Sequence, residues 1–181
     1  MNDDELNRIS SSLQYEKVPA KQIILRKGQK CDFLSFILKG CVVQYSKYKE
    51  KEFVINFLRE DTWVGDSDSF LSQKVSNYYL KTLEETELLT LDYDGFMYLV
   101  QNNLGFLQYH LIDSHRNNSQ SHERLAKMNS LSAEDKYNVI LTESADIINR
   151  VPSKYLASFL GIEPPSLSRI RRNLSKKQQI L

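Results

Sequence analysis

Basic side chains recur at helical spacing near the carboxyl end of this 181-residue chain. Arg169, Arg172 and Lys176 are three and four residues apart and so share one face of a helix, and Arg171 and Lys177 flank that face. Such groups bind phosphates, and arginine also reaches the O6/N7 edge of guanine. The chemistry indicated is contact with double-stranded DNA; a solvated basic face on an ordinary helical hairpin is the alternative.

Residues suited to metal or nucleophilic chemistry are few and poorly spaced. His110, His115 and His122 are five and seven residues apart on one helical stretch, which does not match an i, i+4 metal pair. Cys31 and Cys41 are too few for a disulfide framework or a four-thiolate site, and we expect them as small residues of a barrel. We therefore expect no metal, no cofactor and no enzymatic activity.

The charge of the chain is unevenly distributed. The formal net charge is +1, but residues 151–181 hold six basic side chains against one acidic, and the first 150 residues carry the other 18 basic and 22 acidic groups. The net charge is therefore +5 for residues 151–181 and −4 for residues 1–150, which suggests that the two parts of the chain have different functions. No apolar run approaches the roughly 20 residues of a membrane span, and the acidic start, Met1–Glu5, is unlike a secretion signal. We expect a cytoplasmic protein with no membrane partner.

Short runs of β-branched and aromatic residues predict strands in the first half of the chain. Glycine and charged turns separate these runs, and no helix-length stretch interrupts them. We therefore expect an antiparallel sandwich or barrel rather than a parallel α/β sheet. The runs cover residues 18–25, 33–38, 41–45, 53–58, 78–83 and 88–91.

A long helix is predicted from residue 104 to about residue 130, after a short helix over residues 93–100. A seam at 3.5-residue spacing runs along it, apolar at both ends and polar in the middle. A second copy of the chain would cover this seam economically; packing on the chain's own barrel is the alternative. The seam comprises Leu104, Leu107, Leu111, Ser114, Asn118, Ser121, Leu125 and Met128.

The last fifty residues predict a group of short helices. Ser132 is expected to cap the first of them, and Ser153 to cap another that ends at Gly161 as a left-handed residue. Pro164 and Pro165 then start a further helix, because the first amides of a helix make no intrahelical hydrogen bond and proline is tolerated there. Two helices joined by a short turn containing glycine form a helix-turn-helix. Its inward residues are expected to be Leu167, Ile170 and Leu174.

The order of barrel, long helix and helix-turn-helix resembles the Crp/Fnr (catabolite-activator) family of bacterial transcription regulators, over nearly the whole chain. The most specific pieces are residues 38–40 (LKG), 60–66 (EDTWVGD), 154–162 (KYLASFLGI) and 166–171 (SLSRIR). The resemblance implies an α+β fold. Its parts are an antiparallel β jelly roll of the cyclic-nucleotide-binding type (1–103), a long dimerisation helix (104–130) and an all-α helix-turn-helix DNA-binding domain (131–181).

The resemblance also implies a ligand pocket, at Gly65, Asp66, Ser67, Ser76 and Asn77. A Gly-Glu pair that holds the ribose in the family maps onto Gly65-Asp66, and an Arg-Ser or Arg-Thr pair that holds the cyclic phosphate maps onto Ser76-Asn77. A buried phosphate needs a close cation, which Ser76-Asn77 does not supply. We therefore do not expect cyclic AMP binding of the usual kind. A turn whose carboxylates cap a short helix is the alternative.

In the helix-turn-helix, Arg169 matches the family's base-reading arginine, whereas Pro165 stands where the family often has an acidic residue. The residues expected to contact DNA are Ser153, Lys154, Ser166, Ser168, Arg169, Arg171, Arg172 and Lys176.

We expect a homodimeric, DNA-binding transcriptional regulator with a sensory barrel. Its expected partners are double-stranded DNA, a second copy of the chain and a small-molecule effector of unidentified chemistry. A small-molecule-binding jelly-roll protein or enzyme with a structural helical tail is the alternative. A regulator that acts without ligand control is a third.

Overall fold

The structure, a computed structural model, describes residues 12–178, with only the backbone of residues 177 and 178. The expectations for Met1–Glu5 and for the Lys177 side chain lie outside the described residues. Two four-stranded antiparallel sheets, ordered β1-β8-β3-β6 and β2-β7-β4-β5, confirm the jelly-roll prediction. The strands are β1 Gln14–Val18, β2 Ile23–Leu25, β3 Phe33–Lys39, β4 Val42–Tyr48, β5 Lys51–Leu58, β6 Trp63–Val64, β7 Tyr79–Thr82 and β8 Thr86–Asp92.

The first predicted strand, over residues 18–25, was wrong in its extent. A turn containing Pro19 and Lys21, the latter with φ of 67°, divides it into β1 and β2, which lie in different sheets. Pattern reading missed most of β1 because four of its five residues are exposed and only Val18 is buried. The strand predicted over residues 41–45 also extends further, to Tyr48, because β4 pairs with β5 along the whole hairpin up to Tyr48 opposite Lys51.

A first core fills the space between the two sheets. Buried aliphatic residues from both sheets, among them Leu34, Ile37 and Leu80, pack there. An aromatic chain continues this core into the helices: the Phe70 and Phe96 ring centroids are 5.3 Å apart, and those of Phe96 and Phe106 are 5.8 Å apart. The barrel is thus joined by packing to the first turns of the long helix.

Seven helices are assigned among the described residues after β6. Asp66, Asp92, Asn103 and Ser132 cap four of them by accepting backbone N–H bonds, as was predicted for Ser132. The long helix spans the predicted range. The helices are α1 Ser67–Ser72, α2 Tyr93–Asn102, α3 Leu104–Ser130, α4 Ala133–Glu143, α5 Ala145–Arg150, α6 Ser153–Leu160 and α7 Pro164–Gln178.

A second core joins the carboxyl-terminal helices to the outer face of the β2-β7-β4-β5 sheet. Val43, Tyr45 and Phe57 project from this sheet and pack with buried residues of α4, α6 and α7, including Tyr155 and Leu156. Cys41 is buried in the same core, and burial raises the pKa of its thiol to about 12. The helical unit therefore rests directly on the barrel in this structure.

Candidate nucleic-acid interface and ligand pocket

Helices α6 and α7 are joined by a three-residue turn that begins with Gly161, at the position where the sequence predicts a helix-turn-helix. Gly161 ends α6 with φ of 72°, and the N–H of Ile162 donates to the carbonyl of Ala157 at 3.0 Å, a left-handed cap that few other residues adopt at low cost. Leu167 and Ile170 of α7 are buried, and Leu174 packs beside them. These contacts fix which side of α7 faces the core and which side faces solvent.

The solvent side of α7 carries the predicted basic face. Arg169, Arg172 and Lys176 are exposed, and none of the three lies within salt-bridge distance of a carboxylate in the part of the chain that the structure describes. Ser168 is also exposed and donates to the carbonyl of Pro164 at 3.2 Å. Three unpaired cations on one helix face are available to an external polyanion.

Three residues predicted to contact DNA, Ser153, Lys154 and Arg171, make hydrogen bonds or ion pairs with other residues of the chain. Arg171 donates from Nη1 to Ser153 Oγ at 3.1 Å and from Nε to Tyr137 Oη at 3.3 Å, which ties α7 to α6 and α4. The Lys154 ammonium lies 3.2 Å from a carboxylate oxygen of Glu52 and 4.4 Å from the centroid of the Tyr155 ring. Their roles at DNA stay predictions, as does that of half-buried Ser166.

The predicted capping role of Ser153 was wrong. Helix α6 begins at Ser153, Pro152 occupies the N-cap position, and that end has no side-chain cap bond. The hydroxyl of Ser153 accepts a hydrogen bond from Arg171 instead.

Side chains from both sides hold the helix-turn-helix against the barrel. Ser158 Oγ accepts the Val54 N–H at 3.0 Å and donates to the Glu52 carbonyl at 2.8 Å, on the outer edge of β5. Lys51 Nζ lies 2.6 Å from a carboxylate oxygen of Glu163 in the turn between α6 and α7. Covering an edge strand with a helix satisfies backbone groups that would otherwise stay open.

In the predicted ligand pocket, polar side chains form hydrogen bonds with neighbouring residues of the chain. Ser76 donates from Oγ to Asp66 Oδ2 at 2.6 Å, and Asp66 Oδ1 accepts the Ser69 N–H at 3.3 Å. Asp66 and Ser76 are both buried, while Ser67 and Asn77 are exposed. The structure thus brings Asp66 and Ser76 together and leaves Asn77 apart on the surface.

Gly65 is held by packing. A Cβ atom at this position would lie 2.6 Å from Leu34 Cδ2 and 3.1 Å from the Phe33 carbonyl oxygen, distances that need the neighbours to move. The residue therefore lets β6 approach β3 closely.

A cavity of about 1080 Å³ lies between the barrel, the middle of α3 and helices α4 to α6. Gly65, Asp66 and Ser67 are on its wall, and so are Asn118 and Ser121 of the predicted seam. The sequence reading missed three of its polar lining residues, Asn56, Trp63 and Arg124. No linear pattern links Asn56 to Arg124, because they are 68 residues apart, and Trp63 was noted only as part of the motif at residues 60–66.

The apolar ends of the predicted seam are exposed in the single chain. Leu104, Leu111 and Leu125 are 68%, 60% and 59% exposed, and Ile112, which the seam omitted, is 62% exposed. Ser114 and Asn118 are exposed as well, whereas Leu107, Ser121 and Met128 are half-buried. Large exposed apolar side chains along one helix are typical of an interaction surface.

The histidines do not form a site. His110 is half-buried, with its ring centroid 4.9 Å from that of Phe96, and His115 and His122 are exposed. Among residues 12–178, histidine, cysteine and carboxylate side chains form no group of three that would hold a metal ion. None of the helices in that range is long and apolar enough to cross a membrane.

Comparison with known proteins gives a consistent result. The family described as "Cyclic nucleotide-binding domain" matches residues 15–103. The cAMP-activated global transcriptional regulator CRP of Pasteurella multocida is 24% identical over 108 residues, which are 59% of this chain and 52% of that protein. CRP of Salmonella typhimurium is 26% identical over 102 residues, 56% of this chain and 49% of that protein. The chain spans about half the length of these relatives.

Solved structures resemble the chain over nearly its full length. FixK2 from Bradyrhizobium japonicum has a TM-score of 0.79 at 8% identity and covers 92% of this chain and 86% of its own. The c-di-GMP responsive global regulator CLP from Xanthomonas campestris has a TM-score of 0.72 at 15% identity and covers 98% and 93%. The arrangement of barrel, long helix and carboxyl-terminal helices is therefore shared with these proteins.

Proposed function

We propose that this chain is a member of the Crp/Fnr family, with which it shares its fold and a cyclic nucleotide-binding domain, and that it is a homodimeric, DNA-binding transcriptional regulator and not an enzyme. The observation that carries the proposal is the exposed face of α7, where Arg169, Arg172 and Lys176 have no carboxylate partner in the part of the chain described. A helix in this position of a helix-turn-helix enters the major groove of DNA.

The charge distribution supports a confined DNA contact. The whole chain is nearly neutral, at +1, so it would not coat nucleic acid along its length. The segment 151–181 alone is strongly basic, and the unpaired cations of that segment lie along α7. DNA is thus bound by one helix of each protomer.

Dimer formation follows from the long helix. Leu104, Leu111 and Leu125 repeat along α3 and are largely exposed in the single chain, so a second α3 would bury them. Two-fold pairing would also present two α7 helices to one duplex. Recognition helices in such dimers contact half-sites about 34 Å apart.

The barrel is proposed to sense an effector other than cyclic AMP bound in the usual way. Ser76 and Asn77 provide only neutral hydrogen-bonding groups, and Ser76 already bonds to Asp66. The carboxylate of Asp66 would also repel a phosphate at this position. An effector would instead act from the adjoining cavity, whose walls belong to the barrel, α3 and the helical unit.

The proposal is tested by measuring DNA affinity for the full chain and the Arg169→Ala variant. Arg169→Ala is expected to cost roughly 1–3 kcal/mol on a selected site and much less on random DNA. Lys39→Ala is the matched control, since Lys39 is an exposed lysine on the barrel. Equal losses of binding free energy on the selected site and on random DNA would show that Arg169 contacts only phosphates. No salt-dependent DNA binding at all, together with a filled cavity, would favour a small-molecule-binding protein instead.

A further inference from the structure

The solvent side of α7 carries an apolar residue beside its cations. Pro165 is exposed and lies four residues before Arg169, so the two side chains are one helical turn apart on the same side. Arg172 and Lys176 continue that side, and the opposite side of α7 packs in the second core, which fixes the orientation. Since the first residues of a recognition helix lie deepest in the major groove, an exposed proline ring is placed where base edges would lie.

The backbone of the first turn of α7 offers no spare hydrogen-bond donor to DNA. Pro164 and Pro165 have no N–H group. The N–H groups of Ser166 and Leu167 both donate to the Glu163 carbonyl, at 2.9 and 3.3 Å. This turn therefore lacks the free amides with which the start of a helix commonly binds a phosphate.

Polar side chains next to Pro165 have partners in the chain or lie on another side of the helix. The Glu163 carboxylate is 2.6 Å from Lys51 Nζ in the β4-β5 hairpin. Ser168 donates from its hydroxyl to the carbonyl four residues earlier, at 3.2 Å. Ser166 is half-buried and lies about 100° round the helix from Pro165. Contact with a base edge at this position therefore falls to the proline ring.

An apolar ring can recognise one feature of the major groove. Thymine presents a methyl group there, whereas the other base-edge groups are hydrogen-bond donors and acceptors. A proline ring packed on the methyl group buries apolar surface, but packed on a donor or an acceptor it would leave a polar group without a partner. Arg169, one turn further along α7, matches the O6 and N7 acceptors of guanine.

We propose that Pro165 is a specificity-determining residue, which selects thymine within about two base pairs of the guanine contacted by Arg169. Residues four apart on a helix have Cβ atoms about 5–6 Å apart, and successive bases of a strand are about 3.4 Å apart along the duplex. The two contacts therefore fall on neighbouring or next-neighbouring base pairs. The inference rests on the proposed function and names one feature of the DNA sequence that it selects.

Replacing thymine with uracil tests the methyl contact directly. The full chain first selects a site from a random DNA library, and the position whose preference disappears in Arg169→Ala identifies the guanine. The nearby thymine is then replaced by deoxyuridine, which removes only the methyl group. Affinity of the full chain should fall about tenfold when both half-sites are changed. Uracil in place of a thymine outside the half-sites is the control and should leave the affinity unchanged.

Two substitutions to glutamate separate base recognition from the added charge. Pro165→Glu should change the preferred base from thymine to cytosine, because a carboxylate accepts a hydrogen bond from N4 of cytosine, and should remove the effect of uracil. Pro164→Glu adds the same charge about 100° round the helix, so it should weaken DNA binding in general and keep the thymine preference. Circular dichroism checks folding. Pro165→Ser replaces Pro165→Glu if that variant does not fold, and should lose the thymine preference without gaining cytosine.

Three outcomes would overturn the role of Pro165. They are the absence of thymine within two base pairs of that guanine, equal affinity for the thymine and uracil sites, and an unchanged thymine preference in Pro165→Glu. In each case the proposed function stands if the full chain still selects a DNA sequence. Failure of the full chain to select any sequence would remove the proposed function together with the role of Pro165.

Discussion

Arg150 joins the helical unit to the barrel through a two-point contact with Glu60. Nη2 of Arg150 donates to Glu60 Oε1 at 2.7 Å, and Nη1 donates to Oε2 at 2.9 Å. Arg150 also pairs with Glu84, so it connects the loops after β5 and β7 to the last residue of α5. This contact lies immediately before the segment that leads into the helix-turn-helix, where it fixes how that unit leaves the barrel.

The Arg150 contact predicts acid sensitivity. Hydrogen bonds from Arg150 lower the pKa of Glu60 from 4.5 to about 2, so the carboxylate stabilises the fold fully above pH 4.5. That stability is lost as the pH falls from 4.5 towards 2. Glu60→Gln should lower the free energy of unfolding by about 1–2 kcal/mol at pH 7 and flatten its pH dependence in this window. Urea unfolding across the pH range measures both effects.

Glu85→Gln is the control for Glu60→Gln, because Glu85 makes an exposed ion pair with Lys17 on the same barrel. Its effect should stay within about 0.5 kcal/mol. An unchanged pH dependence in Glu60→Gln would show that the Arg150 contact does not stabilise the fold.

Ser158 is predicted to stabilise the docked position of the helix-turn-helix. Ser158→Ala leaves the Val54 N–H and the Glu52 carbonyl without their hydroxyl partner, which should lower the unfolding free energy by about 1–2 kcal/mol. Ser175→Ala should change it by less than about 0.5 kcal/mol, since that hydroxyl bonds only within α7. Denaturant unfolding of both variants measures these free energies. Equal losses of stability in the two variants would contradict the docking role of Ser158.

The lack of a side chain at Gly65 is predicted to allow the close packing of β6 against β3. Gly65→Ala should destabilise the protein by about 1–3 kcal/mol because the new methyl group would press on Leu34 and the Phe33 backbone. Gly105→Ala, in α3, has ordinary space and should be neutral or stabilising by up to about 1 kcal/mol. Thermal melts compare the two; a Gly65→Ala variant as stable as the parent would remove the packing role.

The exposed α3 seam is predicted to hold two copies together. Leu111→Glu should weaken the dimer by about 100-fold, because each dimer carries the change twice at an apolar contact. Leu71→Glu alters an equally apolar residue, 50% exposed on α1, and should leave the dimer intact. Sedimentation velocity over a concentration series gives the association state. A monomeric parent chain, or a dimeric Leu111→Glu variant, would exclude this interface.

Features set by local spacing could be predicted from the sequence. The helix-turn-helix followed from Gly161 and from buried residues at i and i+3, Leu167 and Ile170, and the structure has all three in these roles. The extent of α3 followed likewise from an unbroken helical pattern. In each case the signal and the structure lie within a few turns of the same segment.

Features that join distant segments could not be predicted. Ser158 meets Val54 across 104 residues, and Arg150 meets Glu60 across 90. The polar residues of β1 gave no alternating pattern, since its pairing with β8 rather than burial keeps it in the sheet. The hydrogen bond between Asp66 and Ser76 was also invisible, because the sequence reading treated them as separate ligand contacts.

Sequence reading by α7 in a two-fold dimer is tested by selection from a random DNA library. The full chain should enrich a two-fold-symmetric sequence whose half-sites lie about 34 Å apart along the duplex. Its affinity for that sequence should fall steeply with salt and drop in the Arg169→Ala variant. Absence of any enriched sequence, or equal affinity for selected and random DNA, would show that α7 does not recognise a DNA sequence.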